Sequence, residues 1–314
     1  MMKIRNVVGF FVFGALMLIL SSCAKEEIRK TFPLSADIFH SIADDQVAFT
    51  ALTHSAVNWL WDFGDGETST EQNPVHIYAD GGYYKIVLTA TGSDGNVVSN
   101  EIDIAVNVTP YVLLTGGATA VNGKTWKLSP NQSPHDKFAN ADADLSTVDG
   151  TPEPLPQGVF DLLLGMGEVY EDEYTFYFDG NYSLDPKSDN AVFGGIVYQF
   201  ATTGGAGIVN PNGQDFGLCT GLYTPDAEAT FTYVPSEDFN VPSVYGPGGV
   251  VTYSDVSTLD FTGTSFVGFK DFQSKVILQD ISDKTMRLVM FMSASIDFAP
   301  LNTNALILTF DAVD

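Results

Sequence analysis

The chain has 314 residues, 45% of them hydrophobic, and a formal net charge of −25. That length accommodates two ordinary domains, each with its own core, and the acidic balance excludes nucleic acid and anionic lipid surfaces as partners of the chain as a whole. With two cysteines, Cys23 and Cys219, no disulfide framework is available, and stability has to come from packing.

Residues 1–22 begin with Lys3 and Arg5, continue as an apolar run from Val7 to Leu20 and end in small residues ahead of Cys23. This is the pattern of a secretory signal peptide, too short to remain as a membrane span. Residues 23–33 read as a charged tether closed by Pro33. Strands are predicted at 34–39, 47–52 and 57–63, the third entering a tight reversal at Trp61-Asp62-Phe63-Gly64-Asp65-Gly66. Asp62 and Asp65 read as acids that fix the turn through its own backbone, since a calcium loop needs more oxygen ligands at regular spacing. A further strand covers 85–91. The first domain closes at about residue 111, and Thr115-Gly116-Gly117-Ala118 reads as a loosening linker.

Residues 112–314 form a second β-rich domain. A hairpin is predicted from Tyr174-Thr175-Phe176-Tyr177-Phe178 through Asp179-Gly180 to Asn181-Tyr182-Ser183-Leu184. Later strands fall at 229–233, 275–279, 286–291 and 305–310. Long Gly, Pro, Asn and Asp loops are expected at 129–157, 202–217 and 234–250, and 158–166 is the one weak helical candidate. The fold class is therefore all-β: an N-terminal immunoglobulin-like β-sandwich followed by a larger β-sandwich or jelly-roll-like domain.

Several blocks resemble known families. Leu20-Ser21-Ser22-Cys23 resembles a bacterial lipobox, which implies lipid on Cys23, and Ala24-Lys25-Glu26-Glu27 resembles the export signal of Bacteroidota surface lipoproteins. The block Trp61 to Gly66, with Asn73-Pro74-Val75-His76-Ile77-Tyr78 and Gly81-Gly82-Tyr83-Tyr84, resembles the signature of PKD domains over roughly residues 34–108. Gly123-Lys124-Thr125-Trp126-Lys127-Leu128 and Tyr170-Glu171-Asp172-Glu173-Tyr174-Thr175-Phe176 are similar to blocks of PKD-bearing surface lipoproteins of polysaccharide-utilisation systems, which implies glycan binding. The Gly/His-rich segment and paired tryptophans often found in such domains are not in this sequence. The resemblances together imply a lipid-anchored outer-membrane protein facing the cell exterior, with a polysaccharide and an importer complex as partners.

Sugar rings present apolar faces edged with hydroxyls, so loop aromatics and carboxylates are the candidate ligands. Tyr223, Tyr245 and Tyr198 are the loop candidates, with Trp126 set between platform and core. Glu171 and Glu173 would share an outer strand face with Tyr177. The charge favours a neutral polysaccharide over an anionic one unless a local basic patch intervenes. No complete catalytic motif is present, although the acidic run Glu168, Glu171, Asp172, Glu173 leaves a glycoside hydrolase or lyase open, and an adhesive surface protein that binds other proteins is a third reading. No cofactor is called for. Calcium is the one metal with ligand-type side chains in view, at Asp142 and Asp144. Cys219 reads as a small buried apolar group, with His135 the only histidine placed to be its neighbour.

Overall fold

The computed structural model describes residues 32–145 and 152–313. Cys23, the signal segment 1–22 and the tether as far as residue 31 lie outside the described residues.

In the N-terminal part, β1 (Ser35–Ala43), β2 (Gln46–His54), β3 (Ala56–Asp62), β4 (Thr68–Ser69), β5 (Val75–Ile77), β6 (Gly82–Gly92) and β7 (Val97–Val106) form two sheets, ordered β1-β2-β5 and β4-β3-β6-β7. Period-two alternation decides what faces inward. Val47, Phe49 and Ala51 of β2 meet Trp61 of β3 and Tyr84, Ile86 and Leu88 of β6 in one core. Gly64 has φ +78, and a Cβ there would lie 2.6 Å from the Lys85 carbonyl oxygen, so only glycine fits. Asp62 Oδ1 accepts from the Gly64 N–H at 2.9 Å and Asp65 Oδ1 from the Glu67 N–H at 3.0 Å, the turn-fixing role expected of both.

The junction is packed rather than loose. Residues Pro110–Thr115 form a short helix whose first turn is capped by Thr109 Oγ1, and Leu114 is fully buried. The glycines expected to loosen the chain instead let backbones meet: Gly117 pairs with Gly82, and a Cβ on Gly117 would stand 2.7 Å from the Gly82 Cα. Tyr83 Oη donates to Asp283 Oδ1 at 3.0 Å, and Lys124 Nζ donates to the Asp283 carbonyl at 2.7 Å.

The C-terminal part contains β8 (Lys124–Leu128), β9 (Lys137–Asn140), β10 (Glu173–Phe176), β11 (Tyr182–Asp185), β12 (Ala191–Gly195), β13 (Ile208–Asn210), β14 (Leu218–Leu222), β15 (Phe231–Pro242), β16 (Val250–Phe261), β17 (Val276–Ile281), β18 (Thr285–Met292) and β19 (Asn304–Ala312). Nine of these form one antiparallel sheet, ordered β11-β10-β8-β19-β18-β17-β16-β15, with β9 beside β8 along β19. The sheet curls until its edges touch. Tyr182 N–H donates to the Ala229 carbonyl and Phe231 N–H to the Gly180 carbonyl, both at 2.9 Å. A small sheet, β12-β14-β13, covers the inner face as the second layer of a β-sandwich, placing Phe193 and Leu218 in the core with Trp126, Tyr174, Phe176 and Phe310. The outer face of the middle strands is apolar too, where Ile277, Val289, Phe291 and Ile307 pack with Phe239 and Val241.

Three sequence-based expectations need correction. The loop predicted at 234–250 is strand as far as Pro242. Its pattern is broken by Pro235 and by two irregularities of register, which β15 tolerates because it ends the order of the main sheet. Loops 129–157 and 202–217 contain β9 and β13, strands too short to show alternation. The weak helix at 158–166 is a wide π-turn, Val159–Leu163, with Leu163 N–H donating to the Gly158 carbonyl at 3.1 Å, whereas a true helix lies at Ile196–Thr203. That helix begins Ile-Val-Tyr, a strand-like composition, and Gly204 at φ +65 terminates it. In the hairpin after β10, Gly180 at φ +88 closes a longer loop in which its N–H donates to the Tyr177 carbonyl at 3.0 Å.

Candidate functional site

The structure scatters the residues that the sequence nominated. Trp126 is completely buried and its indole N–H donates to the Leu114 carbonyl at 2.9 Å, so it is core and no platform. Tyr245 packs against the outer apolar cluster, and Tyr177 lies over Gly123. Glu171 follows the short helical turn Gly167–Tyr170 and precedes β10, so it does not share a strand face with Glu173. Glu171 pairs with Lys127 at 3.5 Å and Glu173 with Lys187 at 2.6 Å. Glu168 accepts from Asn210 and Thr220, and Asp172 is buried. Each carboxyl of the acidic run is thus held by a partner of its own or buried.

Tyr198 and Tyr223 do converge, but on a lysine. The Lys270 ammonium sits 5.5 Å from the Tyr198 ring centroid, 5.8 Å from that of Tyr223 and 5.2 Å from that of Phe266. It donates to the Thr264 carbonyl, which also accepts from Tyr223 Oη at 3.3 Å. Burial lowers the Lys270 pKa to about 8. Both rings are half-buried and flank this cation. Cys219 is free, fully buried and pushed up to about 12 by burial, with Asp271 as its charged neighbour rather than His135.

Glu171 and Lys127 border an open depression of about 490 Å³ with Tyr170 and Asp161, and a narrower polar cleft lies on the outer face of the main sheet where its apolar patch ends. Inward positions of β18 hold Met286, Leu288 and Met290, which leaves Arg287 outward. On β17 the register slips between Leu278 and Asp280, a bulge that places Asp280 opposite Arg287 and turns Gln279 to donate to the Leu145 carbonyl at 2.8 Å. The segment 133–137 leads from β8 into β9 alongside β19, with Lys137 paired to Ile307. It is clamped by Asp136, which accepts from Thr309 Oγ1 at 2.6 Å and from Ser133 N–H at 3.1 Å. His135 and Lys137 thereby flank a cleft of about 250 Å³ with Arg287, Gln279, Asp280 and the aliphatic side chain of Ile307. A shallower depression of about 570 Å³ continues from it past Asn140, Asp142 and Asn304. The two share Ala143, Asp144 and Pro152. Asp142 and Asp144 both line the shallower depression, and among the described residues no group of three or more His, Cys, Asp or Glu side chains is placed to hold a metal ion.

The PKD domain family matches residues 40–108. Those residues are a PKD domain. Collagenase ColQ1 of Bacillus cereus is 48% identical over 50 residues, 16% of this chain and 5% of the collagenase. The pre-pro-metalloprotease PrtV of Vibrio cholerae is 37% identical over 70 residues, 22% of this chain and 8% of PrtV. The chain thus spans less than a tenth of the length of these relatives. The crystal structure of the PKD1 domain of PrtV aligns in full to 24% of this chain at 28% identity, with a TM-score of 0.24. A structure described as a carbohydrate-binding module of the β-sandwich superfamily aligns over 91% of this chain and 94% of its own at 14% identity, with a TM-score of 0.25.

The cleft lies outside the PKD domain, and sequence reasoning missed its central residue. Arg287 is the only arginine beyond Arg29. It stands between Met286 and Leu288 in the strand expected at 286–291. A lone arginine at an outward strand position was the available signal.

Proposed function

We propose that this chain is a cell-surface glycan-binding lipoprotein. Lipid on Cys23 would anchor it, the PKD domain would act as spacer, and the C-terminal sandwich would capture polysaccharide for an outer-membrane uptake system. The observation that supports the reading is the outer cleft. It sets amide, carboxylate, imidazole and guanidinium groups around an aliphatic floor, a combination suited to sugar hydroxyls and the apolar face of a single ring. Recognition there would rest on hydrogen bonds more than on stacking, since the nominated aromatics lie elsewhere.

Affinity electrophoresis of the full chain through gels containing a panel of polysaccharides tests this. Retardation by one polysaccharide class is expected, and Asn304→Ala, which removes a cleft amide, should weaken it about two- to tenfold. No retardation by any polysaccharide, with the protein folded, would overturn the reading in favour of protein adhesion. Loss of polysaccharide chain length on prolonged incubation would instead establish an enzyme.

A further inference from the structure

We propose that Arg287 receives a carboxylate carried by a sugar, so that the captured glycan displays an acidic sugar residue of the uronic-acid kind. This rests on the glycan-binding reading of the cleft and names what that cleft selects. Three observations point to it. Arg287 is the only arginine among the described residues, in a chain whose net charge is −25, and it lines the cleft. Its Nε is buried and has no hydrogen-bond partner. It pairs with Asp280, Nη2 to Oδ2 at 3.9 Å, an ion pair too long to be a hydrogen bond. A guanidinium offers five donors in a planar fork, and a buried donor left without an acceptor is costly, so this one is short of partners in the unliganded protein. A carboxylate is the planar two-oxygen acceptor that engages such a fork through parallel hydrogen bonds.

The surroundings limit what kind of acid can enter. The cleft, about 250 Å³, has room for one ring rather than a stacked chain. Asp280 and Asp144 line the same space beside Lys137 and Arg287, and the negative field of the chain as a whole disfavours a dense polyanion. An isolated acidic residue on an otherwise neutral glycan satisfies both constraints. Asp280, whose side chain is largely exposed, is the group that the incoming carboxylate displaces from Arg287.

The test is titration calorimetry of the full chain with matched oligosaccharides: glucuronic-acid-terminated against glucose-terminated, galacturonic-acid-terminated against galactose-terminated, and a 6-sulfated counterpart. One carboxylated member should bind more tightly than its neutral partner. Arg287→Lys keeps the charge but loses the fork, and should weaken that member about tenfold or more while leaving the neutral one within about twofold. Asp280→Asn should tighten the carboxylated member, a gain that a damaged fold would not produce. Equal binding of matched members, parallel loss of both in Arg287→Lys, or preference for the sulfated sugar would overturn the proposal while the glycan-binding reading stands. If none of these sugars binds but a polysaccharide is still retained, the carboxylate proposal fails alone. If no glycan is retained at all, both fail.

Discussion

The PKD domain and the C-terminal sandwich handle buried polar atoms differently. In the first, the Trp61 indole donates to the Glu71 carbonyl at 3.0 Å, Tyr78 Oη to the Phe63 carbonyl at 3.1 Å and Tyr84 Oη to the Asp80 carbonyl at 2.7 Å. Among the described residues, the buried side-chain atoms without a hydrogen-bond partner belong to Asp172, Gln199, Asp271, Arg287 and Asn302, all in the C-terminal sandwich. A small sandwich whose polar groups are satisfied internally is a self-sufficient unit, which suits a spacer. In the larger one, Arg287 is the residue of these five that lines the outer cleft, and the other four are almost fully buried.

The strongest way to break this comparison is to collapse one side of it. Trp61→Ala empties a fully buried site in the PKD core and should cost about 3–5 kcal/mol in denaturant unfolding of that domain. Glycan retention by the C-terminal sandwich should persist. Its loss would show that the two regions do not act separately.

A second test uses pH. Burial, reinforced by the charge of Asp189, raises the Asp172 carboxyl from 3.8 to about 8, and burial raises Asp271 to about 7. In both, the folded protein holds its proton where the unfolded chain has released it. Their stabilising effect is therefore complete below pH 3.8 and is lost as pH rises through the folded values. Each acid contributes a decline of up to about 1.4 kcal/mol per pH unit in that window. Lys270, lowered by burial to about 8, acts in the opposite sense and returns stability between about pH 8 and its unfolded value of 10.5. Denaturation midpoints measured from pH 4.5 to 8 should fall, and Asp172→Asn should flatten the curve. An unchanged slope in the variant would remove Asp172 as its cause.

The smallest expected effect concerns the contact between the two regions. Tyr83 Oη and Asp283 make an exposed hydrogen bond, so Tyr83→Phe should cost less than about 1 kcal/mol. A double-mutant cycle with Asp283→Ala should give a coupling of about 0.5 kcal/mol. Zero coupling would leave the packed junction around Leu114 and Gly117 as the tie that matters.

The amino-acid sequence by itself determined what depends on neighbours along the chain. The strands at 47–52, 57–63 and 85–91 and the turn that Gly64 makes with Asp62 and Asp65 were legible, because side-chain period and φ preference are local properties. The same reasoning located the hairpin at Asp179-Gly180 and the strands around 286 and 305. Only the tertiary structure decided which tyrosines are accessible and where the open polar space lies. Tyr198 and Tyr223, 25 positions apart, meet on Lys270, which neither approaches in sequence. The cleft joins His135 of the loop leading into β9 to Gln279, Asp280 and Arg287 of two paired strands, and a bulge sets their register. Pairing across a curled sheet is a long-range outcome of burying its inner face, and no window of sequence contains the partners that meet there.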